Sequence, residues 1–195
     1  MRAFNTYYLP ISESQEPGDL ILISHSHSDH LQPSILEKIR KSNSYILAPE
    51  VCREMIKEPF HVVKPGDEVA LDDYQIKVVH AYNTPSGHST IKAHHQWEGV
   101  GYIVTIDQRT FYHAGDTDNI PEMHHLPPID IAMLPIGGTY TMDLSEAVQA
   151  ALTIQSKFII PMHFLKADPE KFKKIVETKS NIKVLVVMPG ESIEI

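Results

Sequence analysis

The feature that most constrains this chain is a junction. The apolar run Leu20-Ile21-Leu22-Ile23 is followed, after Ser24, by His25-Ser26-His27-Ser28-Asp29-His30. A short apolar run of this kind reads as a buried strand. A strand that ends this way delivers three imidazoles and a carboxylate to one edge of a sheet. Residues two apart on extended backbone point the same way, so His25, His27 and Asp29 can share a side while His30 turns into the next segment. Neutral imidazole and carboxylate are, besides thiolate, the usual ligands of zinc. Four donors this close crowd a single tetrahedral ion. They can be divided between two neighbouring ions, which two-metal hydrolases hold about 3.5–4 Å apart. The residues therefore indicate metal first and metal-assisted hydrolysis second.

At 195 residues the chain can bury a sizeable core, and a single domain over 1–195 is expected. Its net charge of -8 repels polyanions, so nucleic acid is not an expected partner. The Lys-rich run Lys171 to Lys174 reads as a solvated helix face. The single Cys52 excludes an intrachain disulfide and a multi-cysteine metal site, reads as packing, and fits a reducing cytosol. Met1-Arg2-Ala3-Phe4-Asn5 lacks the apolar segment of a signal peptide, and no apolar run approaches a membrane span. A cytoplasmic location without a membrane partner is expected. Histidine, at 12 residues, is unusually abundant, and much of it lies at predicted strand ends.

Periodicity and turn residues predict strands at Leu20–Ser24, Ser44–Ala48, Phe60–Val63, Glu68–Leu71 and Tyr74–Tyr82. Pro33 opens a helix with Ile35, Leu36 and Ile39 as its apolar face, and Pro49 opens another that ends near Glu58. Asn83 to Glu98 has no clean period and holds three histidines, which marks a long loop, and a loop of this length is usually functional or disordered. Gly99–Ile106 and Arg109–Ala114 form a hairpin, and Ile129–Ile136 and Phe158–Met162 are strands. Asp143-Leu144-Ser145-Glu146 resembles a capping box for a helix to about Ser156, and Asp168-Pro169 starts the last long helix. Asn181–Met188 and Ser192–Ile195 are closing strands. Strands alternate with helices in two halves split near the long loop. That pattern predicts an α/β fold of two stacked sheets with helices outside each, a four-layer αββα sandwich.

An apolar strand followed by H-x-H-x-D-H resembles the metallo-β-lactamase superfamily. Tyr112-His113-Ala114-Gly115-Asp116-Thr117 resembles its strand-end aspartate motif, and Ile160-Pro161-Met162-His163-Phe164 its last histidine motif. Leu134-Pro135-Ile136-Gly137-Gly138-Thr139-Tyr140-Thr141-Met142 and Ala81-Tyr82-Asn83 are similar to a narrower group, the metal-dependent hydrolases related to the ascorbate-phosphate lactonases. The resemblance spans about residues 19 to 190. It implies that His25 and His27 bind a first metal with one more histidine, that Asp29, His30 and His163 bind a second, and that Asp116 bridges them. In the narrower group the missing ligand lies a few residues before G-x-G-Y. Gly99-Val100-Gly101-Tyr102 is that anchor here, and counting back gives His94, with His95 and His88 as alternatives. His80 reads as structural. Independently of the resemblance, Ala114-Gly115 permits close backbone approach, and an anionic oxygen between two cations is strongly favoured at Asp116.

The implied cofactors are two divalent ions, Zn²⁺ in the first place and Mn²⁺ as the alternative. The implied reaction is hydrolysis of an ester, lactone, amide or phosphodiester small molecule, with Asp29 orienting the nucleophile or moving the leaving-group proton. The alternatives are a nuclease or phosphodiesterase of the same superfamily and a non-catalytic metal-binding protein. His113 either hydrogen-bonds a ligand or packs; Tyr140 either lines the pocket or covers core. Lys166 is a candidate to meet an anionic substrate, and His124 and His125 fall on a short surface helix. Superfamily members normally begin with further strands bearing a Gly-His segment and an Asp, neither of which precedes His25 here. The expectation is a shortened N-terminus and an open sheet edge, with a homo-oligomer as one way to cover it.

Overall fold

The computed structural model describes residues 17–57, 59–188, 191 and 193–194. The first sheet is built from β1 (Gly18–Leu22), β2 (Arg40–Ala48) and β3 (His61–Val62), all parallel and in that order. Helix α1 (Pro33–Ile39) connects β1 to β2. Pro33 fits the first helical position because that residue has no intrahelical use for an N–H. Alternation along β1 and β2 sends side chains to two different cores. Ile21, Ile46 and Ala48 pack with Leu36 of α1 and with Ile56. Leu47 points the other way, onto Val78, Val100 and Tyr102 of the second sheet.

The second sheet has seven strands in the order β10-β9-β8-β7-β6-β5-β4. They are β4 (Glu68–Leu71), β5 (Tyr74–Ala81), β6 (Gly99–Ile106), β7 (Arg109–His113), β8 (Ile131–Pro135), β9 (Phe158–Met162) and β10 (Lys183–Val184). From β4 to β7 neighbours are antiparallel; from β7 to β10 they are parallel. Strand β6 again serves two cores. Val100, Tyr102 and Val104 meet the first sheet, while Ile103 joins the core that holds α2 (Leu144–Ile154) and α3 (Pro169–Lys179). Every residue of β8 is buried, as expected of a parallel strand covered on both faces. The layers are thus α1, first sheet, second sheet, then α2 with α3, which is the expected four-layer sandwich. Asp143 caps α2, its side chain accepting from the Glu146 N–H. No helix among the described residues is long and apolar enough to cross a membrane.

Three expectations are corrected. The chain after Pro49 forms only a 3-10 turn, Glu50–Cys52, rather than a helix to Glu58. Arg53 N–H bonds to Glu50 O and Met55 N–H to Cys52 O, tight bonds that do not propagate. A segment this short repays the cost of helix nucleation poorly, and Pro59 blocks extension. The division between sheets lies between β3 and β4, at the Lys64–Asp67 turn, not at the long loop; β4 and β5 already belong to the second sheet. Asn181–Met188 contributes strand only at Lys183–Val184. Ser192 and Ile195 of the expected last strand lie outside the described residues, and residues 193–194 carry no strand.

Candidate metal centre

The His25–His30 segment leaves β1 between the two sheets. Ile23 N–H donates to Leu47 O at 2.9 Å on one side, and Val100 N–H to Ser24 O at 2.9 Å on the other. The Tyr102 hydroxyl donates to Ile23 O at 2.7 Å and reaches Leu47 O at 3.3 Å. The segment then folds back: the N–H groups of His30 and Leu31 both donate to His27 O. That turn swings Asp29 and His30 beside His25.

Asp116 follows β7 through Gly115, whose φ is +67°; a Cβ there would sit 2.7 Å from Val100 O. Glycine is required on both counts. His163 follows β9 with a left-handed φ of 47°. Gly137 makes room for it, since a Cβ on Gly137 would lie 2.4 Å from His163 O.

These segments bring ligand atoms together in three overlapping triads, each with all its atoms within 4.8 Å of one another: His25–His27–His94, His25–His30–Asp116 and Asp29–His30–His163. One oxygen of Asp116, Oδ2, lies 3.2 Å from His163 Nε2, 3.4 Å from His30 Nε2 and 3.5 Å from His94 Nε2. It therefore reaches members of both outer triads. His94 Nε2 faces His27 Nδ1 at 3.2 Å. The side chains of His94, Asp116 and His163 are only 3–4% exposed, whereas that of Asp29 is 41% exposed.

Burial, reinforced by the neighbouring His30, pushes His25 down to about 2. Burial likewise lowers His94. The His163 imidazole, 3.6 Å from its Oδ2, holds Asp29 down to about 2. Burial alone would raise Asp116, but His30, His163 and His25 outweigh it and keep this carboxyl well below the usual range. Burial opposes charge on His163, yet the nearby carboxylates of Asp29 and Asp116 raise it. At neutral pH the two carboxylates are thus anionic while His25 and His94 are neutral, the forms that ligate metals.

His25 Nε2 and Asp116 Oδ1 are buried with no hydrogen-bond partner among the described residues. A buried polar atom left unsatisfied costs about 1–3 kcal/mol. A nitrogen and an anionic oxygen in the same pocket both lack a positive partner, and a divalent cation supplies one. The imidazole and carboxylate donor set fits such an ion.

The other candidates lie elsewhere. His88 is exposed; its Nδ1 is 3.0 Å from Asp143 Oδ1 at the start of α2, and its N–H donates to Glu146. His95 is exposed and belongs to none of the triads. His80 stays in β5, its ring edge-on to Tyr82 and Trp97. His113 accepts the Gly115 N–H at Nδ1, so it supports the turn that carries Asp116. Burial pushes His113 down to about 4. Lys166 is exposed, and His124 and His125 are exposed on the Pro121–His125 3-10 turn. Tyr140 acts through its backbone: its carbonyl lies 3.1 Å from His94 Nδ1. Cys52 is fully buried and its thiol is pushed up to about 12, which makes it inert packing.

A cavity of about 180 Å³ opens beside the first triad, walled by His25, Ser26, His27, Val51, Ala93, His94, Glu98 and Gly99. A larger hollow of about 420 Å³, against Pro33, Leu36 and Met55, contains none of the triad residues.

Comparison with known proteins agrees with this geometry. The family model of the beta-lactamase superfamily domain matches residues 4–163. A UPF0173 metal-dependent hydrolase of Pyrococcus furiosus is 35% identical over 189 residues, 91% of this chain and 81% of the relative. The solved structure of Igni18, a metallo hydrolase from Ignicoccus hospitalis, superposes with a TM-score of 0.73 at 30% identity, covering 90% of this chain and 78% of that one. A crystal structure from Parabacteroides distasonis superposes with a TM-score of 0.81 at 35% identity, covering 89% and 77%. The chain belongs to the β-lactamase superfamily, and within it to the UPF0173 metal-dependent hydrolases.

Proposed function

We propose that this protein is a dinuclear metallo-hydrolase, with zinc as the leading ion and manganese as the alternative, acting on a small uncharged ester, lactone or amide. The observation that carries the reading is the sharing of His25 and His30 among three triads around one oxygen of Asp116. His25, His27 and His94 would hold one ion, Asp29, His30 and His163 the other, with Asp116 between them. Divalent ions supply Lewis acidity there, lowering the pKa of water to about 7 and polarising a substrate oxygen. The chain's own groups do the rest. Asp29 is the partly open carboxylate of the cluster and is ionised at neutral pH, so an oxygen not committed to the ion can orient the nucleophile by accepting its hydrogen. Asp116, buried and anionic, holds charge inside the site without access to bulk water.

Substrate charge follows from the cavity walls. Val51 and Ala93 offer apolar contact, Glu98 adds negative charge, and among the described residues neither lysine nor arginine lines the space. Beyond the ions themselves the walls add no positive charge to hold a phosphodiester, which favours a neutral substrate, and a small molecule over a nucleic acid. The test is elemental analysis of protein loaded with zinc, followed by a panel of lactones, esters, amides and phosphodiesters. About two ions per chain and turnover of neutral substrates are expected. One ion per chain refutes the dinuclear state, and fewer than one refutes the reading as a whole.

A further inference from the structure

Ala81-Tyr82-Asn83 marks the family resemblance, yet none of its residues belongs to the triads. Asn83 sits where β5 gives way to the long loop, and it grips His94 from both ends. Its backbone N–H donates to His94 O at 2.8 Å, and its Oδ1 accepts the His94 N–H at 2.9 Å. The same Oδ1 lies 3.2 Å from His94 Nδ1, and the Tyr140 carbonyl lies 3.1 Å from that nitrogen. Both neighbours are acceptors, so Nδ1 must carry the ring proton, which leaves the Nε2 lone pair facing His27 and Asp116.

The Asn83 amide is held against flipping. Its Nδ2 donates to the Tyr140 carbonyl at 2.9 Å and to Asp118 Oδ1 at 3.3 Å. A flipped amide would set an oxygen against two acceptors and its NH₂ against two N–H donors. Asp118 is the fixed point. It is fully buried, and its Oδ2 accepts from Thr84 N–H at 2.9 Å, Ser89 Oγ at 2.9 Å and Lys92 Nζ at 3.1 Å. The loop also passes close over it: a Cβ on Gly87 would lie 2.1 Å from Asp118 Oδ2.

We propose that Asp118 and Asn83 form a positioning relay that selects the Nδ1–H tautomer of His94 and so tunes metal affinity at the first triad alone. The proposal rests on the metallo-hydrolase reading above. Partners behind a ligand of this kind are typically worth about 10–100-fold in metal affinity. The experiment has two arms. In metal-free wild-type protein, ¹⁵N-detected NMR of the histidine rings should show His94 as the Nδ1–H tautomer; the Nε2–H tautomer overturns the relay, whatever any variant does. Zinc alone is then titrated against a competing chelator in wild type, Asn83→Ala and Asp118→Asn. Asn83→Ala removes one acceptor of the His94 Nδ1–H and also the Nδ2 donor that holds the other, the Tyr140 carbonyl, in place; it should weaken one of the two sites by about 10–100-fold, leave the other within about twofold, and mix the His94 tautomers. Asp118→Asn should move the same site in the same direction by less. A general loss of structure would weaken both sites together. Wild-type zinc affinity and tautomer in Asn83→Ala overturn the relay alone, whereas a wild type that binds no zinc overturns the reading beneath it.

Discussion

Removing one oxygen atom from Tyr102 tests how the site is fastened to the fold. Tyr102 belongs to β6 of the second sheet, is 1% exposed, and donates to Ile23 O at 2.7 Å, two residues before His25. In Tyr102→Phe the ring remains, so no cavity opens. Leu47 O keeps its bond from the Ile23 N–H, whereas Ile23 O loses its 2.7 Å donor. A buried carbonyl deprived of a donor costs about 1–3 kcal/mol. For a chain of this size each kcal/mol lowers Tm by about 2–4 °C, giving a fall of about 2–12 °C. The assay is thermal melting of the metal-free protein followed by circular dichroism. The pH dependence sharpens it. Burial pushes the Tyr102 phenol well above the ordinary value of 10.0, so its stabilisation is complete below 10.0 and is lost as pH rises toward the higher folded value. The gap between wild type and Tyr102→Phe should therefore narrow above pH 10. Equal melting temperatures at neutral pH, or a gap that widens in alkali, would refute the reasoning.

His94→Ala should weaken zinc binding at one site at least tenfold, while His88→Ala and His95→Ala bind as wild type does, because only His94 lies among the triads; chelator competition measures all three, and a deficit in His88→Ala would move the ligand assignment. Gly115→Ala carries a left-handed backbone penalty of about 1–2 kcal/mol. Its added Cβ would also press on Val100 O, so it should lower Tm and displace Asp116, weakening zinc at both sites. A Gly115→Ala protein with unchanged melting and unchanged zinc affinity would show that the turn is not needed.

Much of this centre was legible along the chain because it is local. His25, His27, Asp29 and His30 fall within one turn after a strand, and the alternation of extended backbone already groups them. Asp116 and His163 were legible through the superfamily resemblance, whose motifs fall just after β7 and β9, where a polar side chain emerges at a sheet edge. His94 was reached only by counting back along a family pattern, since an irregular loop has no period to place a side chain. The parts that were not legible depend on contacts distant in sequence. Asn83 and Asp118 are 35 residues apart, and nothing short-range says that an amide and a carboxylate will meet. The division of sheets at Lys64–Asp67 was missed because β4 and β5 look the same in sequence whichever sheet they join. The helix expected after Pro49 failed for the opposite reason: its start signal was sound, but too few residues followed to extend it.

The candidate ligand groups straddle the seam between the two sheets. His25 to His30 hang from the first sheet, while His94, Asp116 and His163 come from the second. A cation that recognises only the closed arrangement acts as a rivet across that seam. Mass action then makes the cohesion of the whole domain depend on the free ion: about 2.7 kcal/mol at a hundred times the dissociation constant, and nothing in its absence. On that account, scarcity of metal would do more than silence the centre. It would loosen the joint between the halves of the molecule and expose the apolar faces of Leu47, Val78 and Val100 that now press together.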